Sequence, residues 1–453
     1  MEFAIQEKAE RLRAFQGIRI FLMEMVARWT PSTPELEAKV LFGRQIWDAA
    51  QHADILGKRA LELRTPAHSA VSFTAAYVNV LERMAAQTGT AERLQCLYEV
   101  VLPGLAKQHQ QYLSNTHHLQ DEPTVRILDS IQEDDARMVA EARDTLAQMN
   151  HLARPSSELL ESMRSAEAET RECGSPRPGV CLSRGGRSET GFRVKTIRGV
   201  TLREDPAREP CFRVVRTADE MFEMGGMSPE SRRERLHRHM NNEVVAIEIA
   251  AQCLVDFPDA DWDLRLQLAR QCWDESRHAT ALKRRLLELG GFKGEFPIAN
   301  YEWNVTSILD SLAARLAVQN RTFEAGLMDL LSGLRKLWRA EGDETTADLI
   351  ENILADEVGH VRFANQWIRR MATADRRVLL QVAHGISFLK KAAITQIREG
   401  CAAEGAGHDH YQLGEVNVED RKLAGFTDDE VNSFLKSVGL ASVLPPAIQE
   451  TLA

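Results

Sequence analysis

Two segments of the chain combine a carboxylate and an imidazole at a spacing suited to metal binding. They are Asp274-Glu275-Ser276-Arg277-His278 and Asp356-Glu357-Val358-Gly359-His360. Residues three apart on a helix share a face, so the Glu and the His of each segment can reach one point. The pattern alone is weak evidence, because a third Glu-x-x-His occurs at Glu234 and His237. Whether a Glu-x-x-His pair binds a metal must therefore be judged from the residues around it.

The two glutamates lie on predicted helix faces that are otherwise apolar. Leu268 and Leu282 flank Glu275 at helical spacing, and Ile353 and Ile368 share a face with Glu357. An unpaired carboxylate in such a core costs several kcal/mol, so a cation is expected beside it. Metal ions could supply that charge. The alternative is a set of buried ion pairs with arginines such as Arg277 and Arg362.

Each Glu-x-x-His has a further glutamate upstream on another apolar helix face. Glu243 precedes Glu275 by 32 residues, and Glu324 precedes Glu357 by 33. In an antiparallel helix hairpin, residues equidistant from the turn meet at the same height. Both midpoints fall on turn signals, so each hairpin is predicted to bring its two glutamates together. These turn signals are Phe257-Pro258-Asp259-Ala260-Asp261 and Gly342-Asp343.

Two such hairpins predict an all-α four-helix bundle with a carboxylate-bridged two-metal site in its core. Carboxylate and imidazole ligands suit iron and manganese, and the lack of thiolates disfavours a structural zinc site. Fe₂ is the expected cofactor, with Fe/Mn and Mn₂ left open. The predicted ligands are Glu243, Glu275, His278, Glu324, Glu357 and His360.

The region from about 236 to 435 resembles the ferritin-like superfamily of di-iron carboxylate proteins, and within it an uncharacterised bacterial family. The resemblance implies the same six ligands. By similarity to di-iron monooxygenases it also suggests that Asp274 and Asp356 orient the metal histidines; a solvated helix position is the alternative for each. The matching stretches are Glu243-Val-Val-Ala-Ile-Glu-Ile, Trp273-Asp-Glu-Ser-Arg-His, Leu287-Glu-Leu-Gly-Gly-Phe, Phe323-Glu-Ala-Gly-Leu, Asp356-Glu-Val-Gly-His-Val and Val416-Asn-Val-Glu-Asp-Arg-Lys-Leu-Ala-Gly-Phe.

The first 150 or so residues repeat this pattern with most ligands removed. Trp47-Asp48-Ala49-Ala50-Gln51-His52 matches the segment around Glu275, with Ala49 in the place of the glutamate. A second match places Met138 where His360 stands, and a third pairs Glu99 with Glu324. We therefore expect a degenerate ferritin-like bundle without an intact metal site. The remaining candidate ligands there are His52, Glu99 and Asp135, and a residual single-metal site is the alternative.

Composition divides the chain into four predicted regions. Residues 1–155 form the degenerate helical domain, and residues 156–228 a linker with short strands around Phe192–Val200 and Phe212–Val215. Residues 229–398 form the di-metal domain, and residues 399–453 a C-terminal extension with a helix around Asp428–Val438. The seven cysteines form no close pair, the net charge is −10, and the Met-Glu-Phe-Ala start does not resemble a signal peptide. These features predict a cytoplasmic protein with no nucleic-acid or membrane partner, and a Cys173–Cys181 disulfide is the less favoured alternative to free thiols.

The expected function is O₂ activation by a di-metal, non-haem oxidoreductase. One site in a long two-domain chain favours an oxidase or oxygenase acting on a small organic substrate by hydroxylation, N-oxygenation or desaturation. The alternative is a metal-handling protein that oxidises Fe(II) or scavenges peroxide, and a structural protein with a vestigial site is a third interpretation. An external electron donor and a second copy of the chain remain open as partners, and no catalytic residue beyond the metal ligands is predicted.

Overall fold

The computed structural model is predominantly helical, which confirms the all-α class. It describes residues 2–64, 73–152, 155–170, 193–197, 199–215, 226–393 and 416–437. Within these ranges, no helix combines the length and the apolar character that a membrane span requires.

In its described residues, the N-terminal part of the chain is built from helices, with a π-helical segment between two of them. The first helix packs along the second, which in turn packs against the sixth. The π-helical segment, Cys96–Val101, joins two of the shorter helices. The helices are α1 (Ile5–Ser32), α2 (Leu36–Glu62), α3 (Ala75–Ala85), α4 (Thr90–Gln95), α5 (Leu102–Ser114), α6 (Glu122–Gln148) and α7 (Ser157–Glu169).

The C-terminal part has the same kind of architecture, with a second π-helical segment at Gln319–Glu324. The helix that follows this segment packs against the long helix Glu344–Ala374. The helices are α8 (Pro229–Asp256), α9 (Trp262–Glu288), α10 (Tyr301–Thr306), α11 (Leu312–Val318), α12 (Ala325–Ala340), α13 (Glu344–Ala374), α14 (Arg377–Ala393), α15 (Val418–Leu423) and α16 (Asp428–Ser437).

Within its described residues, the predicted linker contains one helix and one small sheet. Helix α7 occupies its first part and packs against α3 and the first π-helical segment. Strands β1 (Val194–Ile197) and β2 (Val200–Arg203) pair antiparallel. The second predicted strand, Phe212–Val215, makes a single parallel bridge from Val214 to Ile298. Residues 171–192 of the predicted linker, the thiols of Cys173, Cys181 and Cys401, and the helical prediction for 394–398 lie outside the described residues.

The described structure divides into two compact units. One comprises Met1–Gly191, Pro206–Glu209 and Ala250–Ser276; the other comprises Phe192–Asp205, Pro210–Ile249 and Arg277–Ala453. The division passes through the continuous helices α8 and α9.

The turns between the long helices are fixed by local chemistry. Gly342 adopts a φ of 75°, a conformation that side chains other than glycine rarely accept, and it ends the α12 hairpin arm. Asp343 then caps α13 by accepting a hydrogen bond from the backbone N–H of Thr346 at 2.9 Å. The turn that the sequence predicted at Gly342-Asp343 is therefore present.

A hydrogen-bonded clamp at this turn occurs twice in the chain. Arg285 donates to Thr346 at 2.8 Å and to Asp343 at 3.0 Å. In the N-terminal helices, Arg59 donates to Thr124 at 2.9 Å and to Asp121 at 3.0 Å. Each arginine also pairs with a glutamate three residues later along its own helix. The repeated clamp supports the internal repeat that the sequence predicts.

Candidate metal centre

The six predicted ligands come together in two overlapping groups. Each group has four ligand atoms, one from each residue, that lie within 4.8 Å of one another. All of these residues are buried. The first group is Glu243, Glu275, His278 and Glu357, and the second is Glu275, Glu324, Glu357 and His360.

The overlap of the two groups gives the site its symmetry. Glu275 and Glu357 belong to both groups, whereas every other member belongs to one. Each group thus has one histidine, one glutamate of its own and the two shared glutamates. These buried Glu/His groups could hold metal ions.

Helical periodicity explains why these side chains meet. Glu275 and His278 are one turn apart on α9, and Glu357 and His360 are one turn apart on α13. Glu324 is the last residue of the second π-helical segment, and such segments occur frequently at functional sites. Glu243 lies in the middle of α8. Four separate stretches of helix therefore each contribute one carboxylate.

Burial places these carboxylates under electrostatic strain. Glu275 is 0% exposed and Glu357 is 1% exposed, so water cannot screen their charges. Burial raises the pKa of Glu324 to about 8, and the neighbouring charge of Glu357 adds to the effect. The Oε2 atom of Glu357 has no hydrogen-bond partner. A cation would relieve both the repulsion and the missing contact.

Two histidines hold Glu243 in its charged form. Burial alone would raise the pKa of this carboxyl, but the charges and hydrogen bonds of His239 and His278 outweigh it, and the pKa lies well below its usual value. His239 Nε2 lies 2.6 Å from Glu243 Oε1. His278 Nδ1 lies 3.3 Å from Glu243 Oε2.

Asp356 fixes the orientation of one histidine of the site. The Nε2 atom of His278 lies 3.0 Å from Asp356 Oδ2, so an N–H there can donate to the carboxylate. The other ring nitrogen, Nδ1, then faces Glu243 Oε2 at 3.3 Å and Glu357 Oε1 at 3.8 Å. Asp356 also accepts a hydrogen bond from Arg277 at 2.8 Å. Asp274, the other residue expected to orient a histidine, is buried and accepts from Arg270 at 2.9 Å.

Side-chain amides donate hydrogen bonds to two of the glutamates and fix their orientation. Gln271 donates to Glu275 at 3.2 Å, one turn earlier on α9. Asn320 donates to Glu324 at 2.8 Å within the π-helical segment. Such contacts from groups outside the ligand set fix the direction in which a ligand points.

One carboxyl group near the site, that of Glu302, has no counterpart among the residues predicted from the sequence. Glu302 lies on the short helix α10, close enough to Glu243 and Glu357 for their charges to act on it. Burial raises its pKa to about 7, although a hydrogen bond with Gln319 opposes the shift. Helix α10 is only six residues long and has no helical repeat that would mark one face as internal. The sequence therefore held no signal for Glu302.

The third Glu-x-x-His has a structural role. His237 Nε2 accepts a hydrogen bond from the backbone N–H of Gly294 at 3.0 Å. Glu234 pairs with Arg238 on its own helix. Burial lowers the pKa of His237 to about 4, so its ring is neutral. The arginines considered as alternative cations also have other contacts: Arg277 donates to Asp356, and Arg362 to the carbonyl of Leu423.

A family model described as "Protein of unknown function (DUF455)" matches residues 186–432. The chain belongs to the DUF455 family. The match contains all six residues of the two groups together with Asp274, Asp356 and Glu302. The N-terminal helices α1 to α7 precede it. The candidate metal centre is therefore a feature of the DUF455 region.

One relative is an uncharacterized protein of Haemophilus influenzae. It is 26% identical over 173 residues, which cover 38% of this chain and 52% of that protein. The chain thus spans about half the length of this relative. No solved structure matches the chain significantly.

Proposed function

We propose that the two Glu/His groups bind two metal ions bridged by Glu275 and Glu357. Glu243 and His278 would complete one metal's ligand set, and Glu324 and His360 the other's. The single observation that carries this proposal is the overlap of the two groups, in which the same two glutamates are shared and each histidine is not.

The proposed architecture is a ferritin-like four-helix bundle. Its helices are α8, α9, the α11–α12 helix with its π-helical segment, and α13. Lone glutamates on two helices and a Glu-x-x-His on each of the other two are the ligand arrangement of di-iron and di-manganese carboxylate proteins in such bundles. The ligand positions along the four helices support this assignment.

The chemistry of the donor set fits iron or manganese. Four carboxylates would balance the charge of two divalent ions, and the two imidazoles provide the nitrogen donors that iron accepts. The Oε2 atom of Glu357 has no hydrogen-bond partner and lies 3.5 Å from His360 Nδ1, and it is the kind of buried acceptor that a cation satisfies. We propose Fe₂ as the cofactor, with Mn₂ or Fe/Mn as outcomes of metal analysis.

The proposed activity is that of an O₂-dependent oxidase or oxygenase acting on a small organic substrate. Redox-active metal ions held by these glutamates and histidines would supply the electron-transfer chemistry that reaction with O₂ requires. The position of one such centre inside a long chain, with additional helices on both sides of it, supports an enzyme over a storage subunit.

The residues around the centre have roles in orientation and proton transfer. Asp356 holds the His278 ring with Nδ1 facing the glutamates. Glu302 can hold a proton at neutral pH beside Glu243 and Glu357, because burial raises its pKa to about 7. Gln319 links Glu302 to the π-helical segment that carries Glu324. We propose that Glu302 passes a proton to or from the centre.

Oxygen consumption by the iron-loaded protein tests this function. The protein is loaded anaerobically with Fe(II), freed of excess iron and mixed with O₂, with and without a chemical reductant. An oxidase or oxygenase retains about two irons per chain and consumes O₂ repeatedly while reductant is supplied. The E275A/E357A variant should bind almost no iron and consume no O₂. E234A is the matched control, because Glu234 is a buried glutamate of the unrelated Glu-x-x-His.

The same experiment separates the alternative functions. A ferroxidase consumes O₂ once for each addition of Fe(II) and releases the oxidised iron as ferric mineral. A peroxide-scavenging protein turns over with hydrogen peroxide and not with O₂. Iron binding at the same level in E275A/E357A and wild type would contradict the site itself.

A further inference from the structure

The N-terminal helices align with the C-terminal ones residue by residue. Helices α1 and α8 each have 28 residues, and α2 and α9 each have 27. When each pair is aligned from its first residue, Arg19 corresponds to Glu243, Ala49 to Glu275 and His52 to His278. The start of α6 aligned with the start of α13 pairs Asp135 with Glu357 and Met138 with His360.

The π-helical segments extend this correspondence and correct one sequence match. Both segments have six residues, so Val101 corresponds to Glu324. Glu99 matches Glu324 in the sequence, but its carboxylate contacts side chains away from the interior. It accepts hydrogen bonds from Gln95 at 2.9 Å and from Arg164 at 3.0 Å, and Arg164 is exposed.

The most informative difference is at the position of Glu243. Arg19 is fully buried and forms two hydrogen bonds to Asp135, one of them 2.8 Å long between Nη1 and Oδ1. A permanent cation thus contacts the carboxylate that corresponds to the shared ligand Glu357. In the C-terminal half the corresponding residue is a carboxylate, Glu243, so a negative charge stands where the N-terminal half has a positive one.

Two residues of α2 that correspond to residues at the C-terminal site have buried polar atoms without a hydrogen-bond partner. His52 Nε2 lies 3.1 Å from Asp134, as His278 does from Asp356, but its Nδ1 has no hydrogen-bond partner. Gln45, which corresponds to Gln271, is fully buried, and neither atom of its amide has a partner. Ala49 stands where the glutamate bonded by Gln271 would be.

We infer that the N-terminal helices contain the remnant of a second metal centre. In this remnant the guanidinium of Arg19 has replaced the metal ions. The orphaned atoms of His52 and Gln45 are remnants of that centre, since each corresponds to an atom that serves a ligand in the other half. Arg19 supplies from within the chain the positive charge that the buried carboxylate of Asp135 requires. This inference rests on the proposed metal site of the C-terminal half.

Restoring the lost ligands tests the inference directly. The substitutions R19E, A49E and M138H are introduced into the E275A/E357A chain, so that any bound metal belongs to the N-terminal half. Equilibrium dialysis against Co(II) measures metal content, and circular dichroism and gel filtration verify the fold. We expect the five-fold variant to bind at least one Co(II) per chain and E275A/E357A to bind almost none. A folded five-fold variant that binds no Co(II) would overturn the inference.

A second series keeps the test decisive if that variant does not fold. R19M leaves Asp135 buried without a cation, so it should lower the melting temperature by several degrees. R19M/D135L removes both charges and should recover most of that loss. Equal melting temperatures for R19M and wild type would contradict the role given to Arg19. Neither result depends on metal binding by the wild-type chain, so failure of the proposed function is distinguished from failure of this inference.

Discussion

At the scale of single residues, the candidate centre depends on contacts that orient each ligand. His278 could present either ring nitrogen to the glutamates, and the bond from Nε2 to Asp356 selects Nδ1. The same pair recurs at His52 and Asp134, where Arg19 occupies the position of a ligand. The same histidine–aspartate contact therefore occurs twice. At His278 it lies beside the proposed metal site, and at His52 it lies beside the guanidinium of Arg19.

Replacing Asp356 should weaken metal binding without removing a ligand. In D356N the His278 tautomer is no longer fixed by a carboxylate, so we expect metal affinity to fall by about 10–100-fold. Competition with a chelator of known affinity measures this change. D134N is the matched control, and its metal affinity should equal that of the wild type. Equal losses in the two variants would show that the effect is not specific to the centre.

Asp48 should make stability depend on pH in the opposite sense to most acidic residues. Burial raises its pKa from 3.8 to about 6, with the nearby charge of Arg44 opposing the shift. The folded state therefore binds the proton more tightly than the unfolded state. Stability contributed by the protonated form is present below about pH 4 and is lost as the pH rises to about 6.

The D48N variant tests this assignment. It should raise the free energy of unfolding by up to about 3 kcal/mol at pH 8 and by almost nothing at pH 4. Urea unfolding at the two pH values measures the difference. A gain of the same size at both pH values would contradict the raised pKa of Asp48.

The residues that sequence reasoning identified and missed differ in a simple physical way. Glu275 and Glu357 could be predicted because a charge on a periodic apolar face is anomalous and requires a partner. Arg19 could not be predicted in the same way, because a basic residue at the position of a lost carboxylate has no sequence pattern that marks it as a substitute for a metal ion. Glu302 lies on a helix too short for periodicity to show which residues face inward.

At the scale of helices, hairpin turns set the height at which ligands meet. The predicted turn at Gly342-Asp343 is present because glycine supplies the positive φ and aspartate supplies the N-cap. The π-helical segments were not predicted, since they depend on tertiary packing and have no clear sequence signal. They matter because the second segment determines where Glu324 lies on its helix.

The clamp at Arg285 should stabilise the α9 end and the α13 start. R285M removes the bonds to Thr346 and Asp343, and we expect a loss of about 1 kcal/mol at pH 7 because the pair is partly exposed. The pKa of Asp343 is held below its usual value by the bonds of Thr346 and Arg285, which outweigh the effect of burial. The stabilisation is thus present above about pH 4 and is lost as the pH falls through the lowered pKa.

Chemical unfolding of R285M at pH 7 and at pH 2.5 measures this contribution. Arg284 offers a neighbouring control, because its side chain is exposed and pairs with Glu288 along the same helix. R284M should unfold like the wild type at both pH values. A difference between R285M and wild type that is undiminished at pH 2.5 would indicate that packing, and not the ion pair, causes the loss.

At the scale of the whole molecule, the two halves neutralise buried carboxylates in different ways. The C-terminal half brings four glutamates together, and the N-terminal half pairs Asp135 with Arg19. Stability should therefore depend on metal in one half. The sequence indicated which half retains the ligands, but how the other half balances its charge could be seen only once Arg19 was located.

Metal removal should lower thermal stability in the wild type. A metal present at 100 times its dissociation constant stabilises the folded state by about 2.7 kcal/mol per site. Calorimetry with Mn(II), and again after chelation, should show a clear fall in melting temperature. The E275A/E357A variant should melt at the same temperature in both conditions. An equal fall in the variant would mean that the metal acts elsewhere.

The most direct test of the central claim is anomalous X-ray diffraction from crystals loaded anaerobically with Fe(II). Data collected on either side of the iron absorption edge locate iron without reference to the protein atoms. We predict two peaks about 3.5–4 Å apart, both between Glu275 and Glu357, with one next to His278 and the other next to His360. A single peak, peaks away from these four side chains, or no peak at full iron loading would contradict the account.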